Sequence, residues 1–299
     1  MQIIPSQNID KIKWDACVAV NKNGLIYASF DYLSAMADNW SGLVINDYQA
    51  IMPLPWRKKW GIKYLYTPAF VQQLGLIGLT KIDFEDLLNA IKKQIKYGDY
   101  LLNSSNNSPA SIGTFIPKCN FIINLSNDYQ NIQENYSKEL IAYLKKAKSN
   151  ELSVTDSSIS YAVDTYQALY QERFPSFKEV DYKNFKTISL EFEKQGNATA
   201  KKVIDKQGNT IAVGLFLKDS KRIYNLMPST LPEGRKQLAM HYLLDSVIRE
   251  FSGRDMILDF EGSDHIGIKK FYQLFGCINE GYWHWHYNNL PFLIKVIKR

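Results

Sequence analysis

The sequence predicts a mixed α/β protein built from two similar halves, each around its own sheet. Two observations carry this. Strand-like runs and helical stripes alternate along the chain, and a hairpin, a third strand, a helix and a further strand recur roughly 155 residues apart. The 299 residues, 45% hydrophobic and 22% charged, leave room for two modest cores. No Pro-rich or Gly/Ser-rich linker separates the halves, and the predicted boundary gives 1–134 and 135–299, with a helical connector over 135–196.

In the second half, KKVIDKQGNTIAVGLFLKD reads as two strands joined by the turn Lys206-Gln207-Gly208-Asn209. A third strand follows over 222–227, and Pro228 and Pro232 bound a loop. A helix then begins near Gly234. Ala239, Leu243 and Val247 form one apolar row and Met240, Leu244, Ile248 and Phe251 the next, a broad stripe of helical period that Gly253 stops. MILDF over 256–260 has the composition of a buried strand. A short helix over 267–274 and strands around 283–287 and 293–297 complete the order β-β-β-α-β-α-β-β.

The first half repeats the start of that order. A hairpin joins 42–45 to 49–52 through Asn46-Asp47, a strand lies at 64–66, a helix at 83–96 and a strand at 100–103. In the connector, helices are expected from Asn135 to Lys148, with one basic face, over 156–171, and over 182–194.

Composition excludes several classes. Cys17, Cys119 and Cys277 are odd in number and unpatterned, so neither a disulfide framework nor a four-cysteine metal site is expected. His284 and His286 share one side of a strand, but neither His241 nor His265 stands at ligand spacing, so no metal site is predicted. The start of the chain has no basic segment leading into an apolar one, and no apolar run approaches the ~18 residues that span a bilayer, so the expectation is a cytoplasmic protein. The net charge of +6 is spread thinly, which suits a phosphate-bearing ligand better than a dedicated nucleic-acid surface. G-x-S-x-G, H-E-x-x-H, Walker A and G-x-G-x-x-G are all absent.

Several stretches, WSGLVINDYQAIMPLP and TPAFVQQLG in the first half, YSKELIAYLKKA between the halves and ILDFEGSDHIGIKKFYQLFG in the second, together resemble the Fem/GNAT superfamily. The likeness is to FemAB-like members of the kind common in Bacteroidetes. Three antiparallel strands, a helix and a parallel return strand is also the order of the GNAT core. The resemblance implies a tandem GNAT-like (acyl-CoA N-acyltransferase) fold. It further implies transfer of an acyl or aminoacyl group to an amine, with acyl-coenzyme A as co-substrate or aminoacyl-tRNA as donor and no tightly bound cofactor. The acceptor would be a small-molecule amine or a peptidoglycan precursor. The alternative is a non-catalytic binding or scaffold protein on the same fold.

Tyr272 is the leading catalytic candidate. Phe271-Tyr272-Gln273-Leu274-Phe275-Gly276 matches the GNAT segment (F/Y)Y-x-x-x-G-F, with Cys277 in place of the last phenylalanine. A phenol is protonated at neutral pH and can donate to a departing thiolate or alkoxide; the alternative is a tyrosine packed between helices. Asp259 and Glu261, at the end of a central strand, are candidates for accepting the amine proton, against a structural role for Asp259 in capping the loop. The helix start at 231–239 stands where GNAT enzymes place (Q/R)-x-x-G-x-(G/A), a turn whose N–H groups cradle pyrophosphate. Gln237 occupies the glycine position, leaving Arg235 and Lys236 to meet a phosphate by charge. Tyr224, Asn225 and Ser263 complete the expected substrate-binding set. Trp56-Arg57-Lys58-Lys59-Trp60 reads as a solvated loop pinned by its tryptophans, the alternative being a surface that stacks a base or sugar and neutralises phosphate.

Overall fold

The computed structural model describes residues 1–108, 110–262 and 264–291. They form two compact units: Met1–Lys118, joined by the chain from Gly281 onward, and Cys119–Glu280. The first unit begins with strand β1 (Gln2–Pro5), helices α1 (Lys11–Val20) and α2 (Phe30–Met36), and strands β2 (Trp40–Ile45), β3 (Ala50–Lys59) and β4 (Ile62–Tyr66). A short β5 (Ile77–Gly78), helix α3 (Phe84–Gln94), and strands β6 (Tyr97–Leu102) and β7 (Thr114–Lys118) follow.

The second unit opens with β8 (Phe121–Asn124), α4 (Tyr129–Gln133), α5 (Lys138–Ser149), β9 (Ser153–Ser157), α6 (Ile159–Tyr170) and α7 (Glu179–Lys194). Strands β10 (Ala198–Ile204), β11 (Thr210–Lys218), β12 (Arg222–Asn225) and β13 (Ser229–Thr230) lead to α8 (Pro232–Lys236) and α9 (Ala239–Phe251). Next come β14 (Ile257–Asp259), α10 (Ile266–Gln273) and β15 (Ile278–Asn279). Strand β16 (Tyr282–Asn288) then returns to the first unit.

Local chemistry explains the helix ends. Asp83 accepts the Glu85 N–H at the start of α3, Ser137 that of Leu140 in α5, and Ser158 that of Tyr161 in α6. Each helix buries an apolar face: Leu87, Leu88 and Ile91 of α3, and Leu243, Leu244, Val247 and Ile248 of α9. The Asp205 carboxylate, accepting from the Gln207 and Asn209 N–H groups, and Gly208 at φ +83° make the β10–β11 turn.

Among the described residues each sheet has eight strands, in the orders β1-β2-β3-β4-β6-β16-β7 and β9-β10-β11-β12-β14-β8-β15, with β5 paired to β3 and β13 to β11. Position for position the orders are the same. In both, a single parallel pair, β4 with β6 and β12 with β14, interrupts an antiparallel sheet. The strand beside that pair comes from the other half of the sequence: β16 lies between β6 and β7, and β8 between β14 and β15.

This exchange moves the division of the chain. The compact units part at 118/119 and 280/281 rather than at 134/135, because Phe121–Asn124 pairs with β14 and Tyr282–Asn288 pairs with β6. Two local expectations are also corrected. Asp156 lies in β9, so the helix begins at Ile159, and Trp56–Lys59 is the end of β3 rather than a loop, with the turn at Trp60 and Gly61. The strand expected at 293–297 lies outside the described residues. Among the described residues no helix is long and apolar enough to cross a membrane.

Candidate functional site

The site begins where the parallel pair of the second unit ends. The last paired residues of β12 and β14 are Tyr224 and Asp259. Beyond them the strands part. Leu226 and Met227 both turn their N–H groups to the Leu215 carbonyl (3.1 and 3.4 Å), while Phe260 donates to the Phe121 carbonyl (2.9 Å). A cleft of about 460 Å³ lies beside this opening. Tyr166 and Tyr170 of α6 with Phe174, Pro228 and Thr230 after β12, Leu238, Met240 and His241 at the start of α9, and Ile268, Phe271 and Tyr272 of α10 form its walls. Arg173 and Arg235 also line it, the former over the Tyr170 ring at 5.2 Å. The lining is aromatic with two arginine cations, a composition suited to an apolar group carried on a phosphate-bearing molecule.

Tyr272 is 5% exposed and its ring is clamped. It stacks on Phe260 (centroids 4.7 Å, planes 15° apart) and packs at a tilt on Phe121. Burial, and then the neighbouring Glu261, Tyr166 and Asp259, raise its phenol well above the ordinary range, so it carries its proton throughout the physiological range. The Asn225 carboxamide, fully buried with neither its nitrogen nor its oxygen well hydrogen-bonded, lies near this phenol. Glu261 adopts φ +60°, a left-handed conformation that costs a non-glycine residue about 1–2 kcal/mol. Burial pushes its carboxyl up to about 8. A proton-holding phenol and a carboxyl poised near neutrality therefore stand within electrostatic reach of one another at the end of the central strand.

Other expected residues are placed elsewhere. Neither Asp259, 1% exposed, nor Glu261, Tyr224 or Asn225 is among the residues that line the cleft. The Asp259 carboxylate accepts from Arg222 (2.5 Å), Asn120 (3.1 Å) and the Glu261 N–H (2.8 Å). Burial disfavours the Arg222 charge, but Asp259 and Glu280 outweigh it and hold the guanidinium cationic. Three donors on its two oxygens make Asp259 an anchor of the strand end. Tyr224 is likewise fully buried and donates to Asp219 (2.7 Å). Of the two basic residues, Arg235 reaches the cleft, whereas Lys236 pairs with Glu233 at the surface (3.0 Å). Ser263 lies outside the described residues.

Local reading missed part of the site. Tyr166, Tyr170 and Phe174 enter from α6 and its C-terminal turn, far away in sequence, and their helical spacing reads as an ordinary core stripe. His241 also lines the cleft, between the Phe271 and Tyr143 rings; burial depresses it to about 4, so it is neutral at pH 7. Leu238, at φ +62°, breaks α8 from α9 at the cleft edge where a single helix was expected. Among the described residues no group of three or more His, Cys, Asp or Glu is arranged to hold a metal ion.

No family model matches the chain, and no curated protein matches it in sequence. Solved structures do. FemX is similar at 13% identity over all of both chains, with a TM-score of 0.67. The chain has a tandem GNAT-like fold. L-PGS from Bacillus licheniformis is similar over 96% of this chain and 95% of its own (11% identity, TM-score 0.55). A tandem GNAT protein from the clavulanic acid biosynthesis pathway is similar over 97% and 99% (13% identity, TM-score 0.54). At these identities the likeness is one of fold.

Proposed function

We propose that the second unit transfers an acyl or aminoacyl group to an amine, with Tyr272 as the proton donor to the leaving group and Glu261 as the acceptor of the amine proton. The observation that carries this reading is that Tyr272, whose phenol feels the Glu261 carboxyl, lines an aromatic cleft at the parting of β12 and β14. The donor's acyl group lies against the aromatic walls, and Arg173 and Arg235 meet the phosphates of its carrier. The amine nitrogen attacks the carbonyl carbon directly, so no covalent enzyme intermediate and no tightly bound cofactor are needed. As the tetrahedral intermediate collapses, the carbonyl carbon–leaving-group bond breaks and the leaving atom takes the Tyr272 proton. The proton released by the amine passes to Glu261 and returns to the phenolate, which closes the cycle.

Two donors are compatible with this reading, an acyl-coenzyme A and an aminoacyl-tRNA. The raised Tyr272 phenol favours the ester, because an alkoxide needs a proton far more than a thiolate does and a weak acid suffices to supply it. Gln237, standing where a pyrophosphate-cradling turn wants glycine and bonded to Glu233 (3.1 Å), points the same way. The acceptor is a small-molecule amine or the amine of a peptidoglycan precursor. Gln237 also supports a second reading, a ligand-binding protein without turnover.

One variant separates the two. Tyr272→Phe keeps the ring's packing on Phe260 and removes only the hydroxyl. With either donor and an amine acceptor, transfer should fall by roughly 10²–10⁴-fold while the melting temperature barely moves. Transfer at the wild-type rate in the variant would remove Tyr272 from the chemistry, and no transfer by the wild type with either donor would favour the binding protein.

A further inference from the structure

A second concave site lies between α4, α5 and α9 of the same unit, where a groove of about 330 Å³ opens to solvent. Its floor is Asp245, only 4% exposed. Asp245 accepts the Tyr129 hydroxyl (2.7 Å) and lies 3.5 Å from Nη2 of Arg249. That nitrogen also donates to the Tyr129 hydroxyl (2.9 Å), and the guanidinium sits over the Tyr129 ring at 4.2 Å. Gln133 donates to the same hydroxyl (2.8 Å). Arg249 is thus oriented by a buried carboxylate and a tyrosine through one nitrogen, while Nε and Nη1 keep no protein partner among the described residues.

Lys145 and Lys148 of α5 line the groove with it. Three residues apart, they lie on one face of the helix, and neither ammonium is in an ion pair among the described residues. A basic helix face is ordinarily just a solvated one. Here it is met by a guanidinium fixed from beneath, so three cations converge on a concavity that holds a single, already engaged carboxylate.

We propose that this groove binds a diphosphate group, free or esterified, with Arg249 as the oriented fork and Lys145 and Lys148 as flanking charges. The planar guanidinium presents paired N–H donors that match two phosphate oxygens, and the ammoniums act as point charges on the neighbouring phosphate. Three cations against one carboxylate suit a ligand of charge near −2 to −3 better than a lone carboxylate. The site is separate from the transfer cleft, shares no lining residue with it, and does not depend on the proposed chemistry.

The test is calorimetric titration of the full chain at low salt with pyrophosphate, adenosine diphosphate and inorganic phosphate. Saturable one-site binding is expected, with the better diphosphate at least tenfold tighter than phosphate; which diphosphate binds more tightly tells whether the natural ligand is free or esterified. The double variant Lys145→Gln/Lys148→Gln, altered only at exposed positions, should weaken binding at least tenfold with an unchanged melting curve. Arg249→Gln should weaken binding as much, with some loss of melting temperature because it strips a partner from the buried Asp245, whereas Arg173→Gln/Arg235→Gln in the cleft should leave a groove-bound diphosphate in place. Absence of saturable diphosphate binding overturns the proposal. So does binding that survives the lysine double variant or is lost only in the cleft variant.

Discussion

The two units share one strand order down to the exchanged strand and the short extra pairing of β5 or β13, yet they treat the gap beyond their parallel pair in opposite ways. In the first unit the chain fills it. Residues 67–76 lie beside the end of β6, where Leu74 bridges Leu102 in parallel and its N–H donates to Leu101 (2.9 Å). Asn103 and Asn106 both donate to the Leu76 carbonyl, and Asn106 accepts the Leu76 N–H (2.9 Å). In the second unit the connection from β12 to β13 is only 226–228, too short to make such a plug, and the cleft stays open. The helix that carries Tyr272 is also particular to the second unit: between β6 and β7 the described residues include a single 3₁₀ turn (Ala110–Ile112) in place of α10. Beyond its parallel pair the first unit thus carries its own backbone, whereas the second has the cleft with Tyr272 in its wall. Identical topology does not confer identical function.

The difference can be probed from either side, and the largest effect is expected at Glu261. As a base with a carboxyl near 8, it should give a transfer rate that rises with pH up to about 8 and then levels. Glu261→Gln should abolish that limb and lower the plateau by roughly 10²-fold or more, which a pH–rate profile reads directly. Stability carries the same signature with a defined sign. A carboxyl raised in the folded state contributes stability that is present below about 4.5 and is lost as pH rises through about 8. Wild type should therefore lose up to about 1.4 kcal/mol per pH unit within that window relative to the glutamine variant in denaturant titrations. Parallel curves for the two proteins would mean the carboxyl titrates normally.

On the closed side the expected effect is smaller. Asn106→Ala removes both amide bonds to Leu76 and leaves a buried N–H unpaired, which should cost about 1–3 kcal/mol. Transfer by the folded protein should be unchanged, since this plug is no part of the second unit's cleft. A fall in turnover comparable to that of Tyr272→Phe would mean that the first unit also takes part.

How much of this was legible in the sequence follows from how local each feature is. The β10–β11 hairpin, the stripe of α9 and the Tyr272 segment announce themselves within about twenty residues, through turn chemistry, 3.6-residue period and spacing. The strand exchange does not. Phe121–Asn124 is a short apolar run whose identity depends on β14, more than 130 residues later, and nothing in β16 says that it will pair with Leu102 rather than with its own half. The partner of Asp259 is hidden for the same reason, because Arg222 belongs to another strand. Alternation within β3 was masked by Arg57-Lys58-Lys59, whose charges look like a loop and are in fact the exposed end of a strand.

The contrast between the closed and the open unit is tested most directly by hydrogen exchange with the donor that supports turnover, added at saturation to the whole protein. The account predicts new protection in the segments lining the cleft, at 226–241 and 266–273, with the amides of 74–76 and 101–106 exchanging as they do in the free protein. Protection confined to the first unit's segments, with the cleft of the second unit unchanged, would contradict it.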